Sequence, residues 1–250
     1  MAITVHDRVF AALDNPHIHP EIAALIDCPQ DHRHHPEGDV RTHTVYVYYE
    51  ARAIAERDRL RGSDYDDLML AALCHDLGKP ATTEVHADGR VTSYGHDIAG
   101  EAPTISLLTR LGVDGATIDR VVGLVREHMA HVHMSDVTEK AVRKVRRRLE
   151  EHGASLVQLT RLIEADHYGR PPLPRKLGAK ECEFVEVALA IAADPPKPEP
   201  IVKGRDLIAA GLVEPGPAVG LLLARLAEYE AAGTYTTVDG GLIVARELLA

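Results

Sequence analysis

An all-α fold is what this sequence predicts: a helical bundle with one short β-hairpin and a small C-terminal helical subdomain. Three observations support it. Ala and Leu dominate an apolar fraction of 45%, aromatics are only 4%, and β-branched runs are few, a composition that suits helices. Apolar residues recur at helical spacing through most of the chain. A single Asp88-Gly89 pair lies between two arms of alternating polar and apolar residues, the signal of a hairpin turn.

The elements follow in order. Residues 1–39 read as a lead-in of short helical pieces broken by Pro16, Pro20, Pro29 and Pro36, because proline lacks a donor and clashes with the preceding turn. From Val40 to Arg61, the residues Val40, Val45, Val47, Tyr48, Ala51, Ile54 and Ala55 give a helix. Gly62-Ser63-Asp64 breaks it, with Ser63 or Asp64 as the cap of the next helix. That helix, Asp64–Leu77, is apolar on most sides through Leu68–Leu73 and belongs at the centre of the bundle. Gly78 ends it. The hairpin occupies 82–94. Helices follow at His96–Leu111, Asp114–His131, Thr138–His152, Ser155–Tyr168 and Ala179–Ala193, with 171–176 a loop. The segment DPPKPEP (194–200) is a linker. It separates a domain at 40–193 from a subdomain at 201–250, which holds three short helices turning at Gly211, Gly216 and Gly233.

Composition narrows the function. No apolar stretch approaches the roughly 20 residues of a membrane helix. The N-terminus carries no secretory pattern. Three cysteines without a CxxC point to a reducing compartment and no disulfide framework, so the expected location is cytoplasmic. The net charge of −10 is opposite in sign to that of a protein wrapping duplex nucleic acid. Fifteen histidines are the compositional oddity. Ordinary burial trends leave about two-thirds of them exposed, and metal ligation is one use for the remainder.

The chemistry concentrates at His75-Asp76, in LMLAALCHDLGKPATT. Two polar side chains at the exit of an apolar helix have no packing role, and imidazole and carboxylate both suit divalent metals. Other candidates occur on separate segments: His43, His96, His128 and Asp166. Each alone is an ordinary polar residue. Together, each beside an apolar helix, they can meet only in the interior of a bundle, where facing helices build metal sites.

The stretches HHPEGDVRTHT (34–44), LAALCHDLGKPATT (70–83), DGRVTSYGHDIAGE (88–101), LVREHM (124–129), EADHYGR (164–170) and KGRDLIAAGLVEPGPAVG (203–220) resemble the HD superfamily of metal-dependent phosphohydrolases. More narrowly, the chain is similar to the C-terminal half of bacterial CCA-adding tRNA nucleotidyltransferases. The resemblance implies that His43, His75, Asp76 and Asp166 hold one divalent ion (Mn, Ni, Co, Fe or Mg). His96 and His128 match positions for a second, with Asp76 bridging. It implies a metal-activated water attacking a phosphoester of a nucleotide or RNA end, as a 2′,3′-cyclic phosphodiesterase or a phosphomonoesterase. Those enzymes carry a nucleotidyltransferase head before this region. Gly62-Ser63-Asp64-Tyr65-Asp66 resembles part of its motif but has no flanking strand, so CCA addition is not expected.

Three further residues have candidate roles. Lys79 lies three residues after Asp76 and could meet a substrate phosphate, or be a solvated turn lysine. Asp97 could handle a proton or orient water, or be a first-turn acid suiting the helix dipole. Arg170 lies about one turn after Asp166 and could clamp phosphate. The basic run Lys140, Arg143, Lys144, Arg146, Arg147, Arg148 would suit a phosphate-rich partner such as tRNA, although neighbouring acids offset it. The competing reading is a tRNA-binding accessory module working with a separate nucleotidyltransferase.

Overall fold

The computed structural model describes residues 5–194 and 200–249, and the linker expected at 194–200 lies largely outside them. The chain divides into two compact units, residues 1–194 and 195–250.

In the first unit, α1 (Val5–Asp14), a 3-10 turn at Pro16–Ile18 and α2 (Pro20–Ala23) lead in to α3 (Val40–Arg57). Next come α4 (Ser63–Cys74), α5 (Lys79–Thr82), β1 (Glu84–Val85), β2 (Val91–Thr92), α6 (His96–Ala99), α7 (Glu101–Arg110) and α8 (Gly115–Glu127). The unit closes with α9 (Ala130–His133), α10 (Glu139–Glu151), α11 (Leu156–Tyr168) and α12 (Ala179–Ala193). The second unit holds α13 (Gly204–Ala209), α14 (Pro217–Ala231) and α15 (Val238–Leu249), which enclose their own core of Val202, Leu207, Leu222, Leu226, Tyr235, Val244 and Ala245.

The centre of the first unit is α4, with every residue from Asp67 to Cys74 buried. It packs against α1, α3, α8 and α11, and α3 also packs against α11. Helix starts are capped as the sequence dictates. Asp39 accepts from Thr42 N, Asp114 from Thr117 N, Thr138 from Ala141 N, and Ser155 and Gln158 form a capping box, each satisfying otherwise orphaned amides.

Several boundaries differ from the sequence reading. The first long helix stops at Arg57 rather than Arg61, because Arg59 takes a left-handed conformation (φ 55°) that a helix cannot continue. Neither Ser63 nor Asp64 is the cap: Gly62 holds that position at φ 58°. Gly78 does not end a helix in the left-handed region. It is itself right-handed (φ −82°) and passes the chain directly into α5. The single helix expected over His96–Leu111 is broken at Gly100 into α6 and α7. The hairpin pairs Glu84 with Thr92 and Val85 with Val91; its loop spans five residues, with Gly89 at φ 82° and Asp88 accepting from Arg90 N. Among the described residues no helix is long and apolar enough to cross a membrane.

Candidate metal centre and its cavity

Six ligand candidates come from five places in the bundle. His43 projects from α3, His75 and Asp76 from the turn closing α4, His96 from α6, His128 from the C-terminal end of α8, and Asp166 from α11. The helix packing brings them together. His43 Nε2 lies 3.0 Å from Asp166 Oδ1 and 3.3 Å from His75 Nε2. His75 Nε2 is 3.2 Å from Asp76 Oδ2. On the other side, Asp76 Oδ1 is 3.3 Å from His96 Nε2 and 4.0 Å from His128 Nε2, and these two nitrogens are 3.1 Å apart. The set thus falls into two trios, His43/His75/Asp166 and Asp76/His96/His128, with one Asp76 oxygen toward each.

One backbone contact seats α6. A Cβ on Gly78 would lie 2.0 Å from His96 O and 2.5 Å from Gly100 N. Only glycine lets the turn after Asp76 lie directly on the α6 backbone, and that closeness puts His96 beside Asp76.

The imidazole protons can be assigned from their partners. His75 Nδ1 faces Ala72 O at 2.9 Å, His96 Nδ1 faces Ser93 O at 2.7 Å, and His128 Nδ1 faces Val125 O at 2.6 Å. A carbonyl only accepts, so each Nδ1 carries hydrogen, and each ring turns its Nε2 toward the cluster. His43 Nδ1 donates to Glu37 Oε1 at 2.8 Å and approaches Gly169 O at 3.2 Å.

The cluster is therefore rich in acceptors and poor in donors. Burial lowers the basicity of His96, and burial followed by neighbouring imidazoles takes His128 down to about 3. Two lone pairs consequently face each other at 3.1 Å. Burial alone would raise the carboxyl of Asp76, but His75 and Lys79 outweigh it and hold it well below the usual carboxylate range. For Asp166 the bond from His43 does the same. Asp76 Oδ2 is buried without a hydrogen bond, although Lys79 Nζ lies 2.7 Å away as an ion pair. Imidazole nitrogens that converge lone pair to lone pair in a buried site are costly without a cation between them. Donors about 2.1 Å from a common ion sit about 3–3.4 Å apart; the contacts at 3.0–3.3 Å match that spacing, while Asp76–His128 and His75–Asp166 are wider at 4.0 Å. The residues present fit one or two divalent ions.

The cluster opens into a cavity of about 110 Å³. Asp76, His96, His128 and Asp166 line it, together with Lys79 and Arg170. Lys79 is buried, bridging Asp76 and Gln30 Oε1 (2.7 Å); it is not a solvated turn lysine. Arg170 lies beyond the end of α11, past the Gly169 cap, and contacts His167 O and Nδ1. Asp97 is not brought to this cavity. It is buried on α6 but lines a separate cleft with Ile98, Arg126, His133, Lys144 and Arg148. His96 and Asp97 are helix neighbours, about 100° apart around the axis, so one facing Asp76 turns the other away.

Sequence reading missed part of the site. His35, His131, His167 and Glu181 also line the cavity, and Glu37 stands behind His43. Burial opposes ionisation of Glu37, but bonds from His35 and His43 win and hold its carboxyl at about 2. The only available signal was position: Glu37 lies six residues before His43, in a loop that helical periodicity does not read. The expectation that most histidines are exposed also fails, since among the described ones only His17, His32, His34 and His133 are. On α10, Arg143, Arg146, Arg147 and Arg148 each lie within ion-pair distance of an acid, so much of the basic run is neutralised locally.

A helical bundle gathering His, His-Asp, His, His and Asp around a buried carboxylate is an HD-type arrangement with clusters able to hold metal ions. Comparison with known families agrees: the HD domain model matches residues 40–168, and the chain belongs to that family. Among curated relatives, the A-adding tRNA nucleotidyltransferase of Deinococcus radiodurans is 37% identical over 177 residues, covering 68% of this chain and 39% of that protein. The multifunctional CCA protein of Actinobacillus pleuropneumoniae is 32% identical over 196 residues (72% and 44%). That of Xylella fastidiosa is 30% identical over 227 residues (89% and 49%). The chain is thus homologous to the HD region of CCA-adding enzymes and spans less than half the length of these relatives. No solved structure gives a significant match.

Proposed function

We propose that this chain is a metal-dependent phosphohydrolase that directs water onto a phosphoester of a nucleotide or RNA end, whether a 2′,3′-cyclic diester or a monoester. The observation that carries the reading is the donor-poor convergence of imidazole nitrogens and carboxylate oxygens around Asp76, opening into a cavity that also holds Lys79 and Arg170. A divalent ion, whether Mn, Ni, Co, Fe or Mg, supplies Lewis acidity and a source of hydroxide at neutral pH. His43, His75, Asp76 and Asp166 would hold one ion; His96, His128 and the second oxygen of Asp76 would hold another. Glu37 fixes the His43 ring so that Nε2 faces the cluster. Lys79 adds positive charge at Asp76, where phosphoryl oxygens would gather. Arg170, once released from His167, offers a planar fork to the same group. Asp97 has no role in this arrangement.

The test is metal content of the purified protein, then hydrolysis of bis(p-nitrophenyl) phosphate with Mn, Ni, Co or Mg, and a panel of 2′,3′-cyclic, 2′- and 3′-nucleotides and RNA with defined ends. Bound metal is expected, with turnover that Asp76→Ala abolishes while the fold is retained. Absence of both metal and turnover sinks the reading. If tRNA binding is then measurable, the accessory-module reading replaces it.

A further inference from the structure

The cavity has a second wall that the ligand set does not use. Glu181 of α12, His131 of α9 and His167 of α11 line it. Glu181 Oε1 lies 3.6 Å from His131 Nε2 and 3.9 Å from His167 Nδ1, close but beyond hydrogen-bond range. No hydrogen bond and no Lys or Arg partner satisfies this carboxylate among the described residues, although its side chain is only 20% exposed. His131 is 5% exposed and its Nδ1 is buried without a partner. Glu181 sits at the third position of its helix, behind a Gly178 cap that has no side chain of its own. A Cβ on Gly178 would lie 2.3 Å from Glu181 Oε2, so glycine at the cap leaves the carboxylate the room it occupies. Glu181 also lies outside the residues matched by the family model.

These groups have a chemical direction. An unpartnered carboxylate repels a phosphate, so the phosphate belongs at Lys79, Arg170 and the ligand set. What a free carboxylate recognises is a hydroxyl, which donates to it. The cavity volume of about 110 Å³ is below that of a drug-sized pocket. It suits a phosphate and the adjoining hydroxyl-bearing carbon, with the remainder of the substrate outside.

We infer that Glu181, flanked by His131 and His167, forms a hydroxyl-binding subsite that, of the two phosphoester classes proposed, selects monoesters whose carrier keeps a free sugar hydroxyl beside the phosphate. The inference rests on the phosphohydrolase reading and adds a specificity residue to it. Its test compares adenosine 3′-monophosphate with its 2′-deoxy analogue, by kcat and KM on the metal-loaded protein and by calorimetric Kd in EDTA, where nothing turns over. The wild type should favour the ribonucleotide by roughly tenfold or more, a loss expected for one hydrogen bond to a charged group. Glu181→Ala should erase the preference through KM, with kcat for the 2′-deoxy analogue within twofold of the wild type's, and Glu181→Gln should restore part of the preference. Equal affinity of the wild type for the two nucleotides, or a preference that survives Glu181→Ala, overturns the inference. If the wild type hydrolyses nothing, the phosphohydrolase reading falls, and the calorimetric comparison still decides the subsite.

Discussion

Replacing Glu37 with Gln removes the charge behind His43 while keeping the shape of the side chain. Oε1 of Glu37 receives Nδ1–H from His43 at 2.8 Å and from His35 at 2.9 Å, with the side chain fully buried. Water therefore does little to damp the loss. Burial works against protonation of His43, but the bonds to Asp166 and Glu37 lift its imidazole from 6.5 to about 9. A rise of that size corresponds to about 3 kcal/mol. Glu37 supplies part of that rise, and partners of metal-bound histidines exert a 10–100-fold effect on metal affinity, about 1.4–2.8 kcal/mol. The assay is competition for Mn or Ni against a chelator of known affinity, with circular dichroism as the check on folding. Kd should rise about 10–100-fold while helicity is retained. Asp39→Ala provides the contrast: it removes the α3 cap, where Asp39 accepts from Thr42 N at 2.8 Å, and should cost about 1 kcal/mol of stability with metal affinity unchanged. A Glu37→Gln protein that binds metal within threefold of wild type would refute the reasoning.

Three other outcomes are expected. Gly78→Ala forces a Cβ to within 2.0 Å of His96 O, so α6 must shift; stability should drop by roughly 2 kcal/mol or more, and metal content should fall with it. Asp67 is buried and held by Arg120 Nε at 2.7 Å and Gln158 Nε2 at 2.8 Å. Asp67→Ala should cost about 3 kcal/mol in urea denaturation, while removing Arg120 as well should cost less than the sum of the two single changes. The pH dependence follows from His43, whose folded pKa is raised: its stabilisation of the metal-free protein is complete below about 6.5 and is lost as pH climbs through about 9. Melting temperatures of chelator-treated protein should fall across that window and stay flat when a cation replaces the proton; identical profiles for the two forms would contradict this.

The sequence made the bundle and the ligand set readable for separate reasons. Leu68–Leu73 is apolar around the whole helix, which marks a central element whatever the fold. His75-Asp76 stands out because polar residues at its exit serve no packing purpose. Resemblance then joined His43, His96, His128 and Asp166 to that pair. The remaining features were set by tertiary contacts. Gly100 breaks α6 from α7 because the segment must press its backbone on Gly78, a constraint invisible to periodicity. His35, Glu37 and Glu181 reach the site from a loop and from a helix start, where spacing carries no directional information. Asp97 illustrates the converse: adjacency to His96 in the chain implied adjacency in the site, and helical rotation denies it.

The seating of α6 has an evolutionary consequence. Because Gly78 meets the backbone at His96 and Gly100 directly, the separation between the two halves of the centre is fixed by main chain on main chain. The hairpin connecting them, only two residues per strand, merely closes the path. Insertions or deletions around Asp88 should therefore leave the coordinating nitrogens in register, so this tip is free to diversify, or to accept a graft, without retuning the chemistry beneath it.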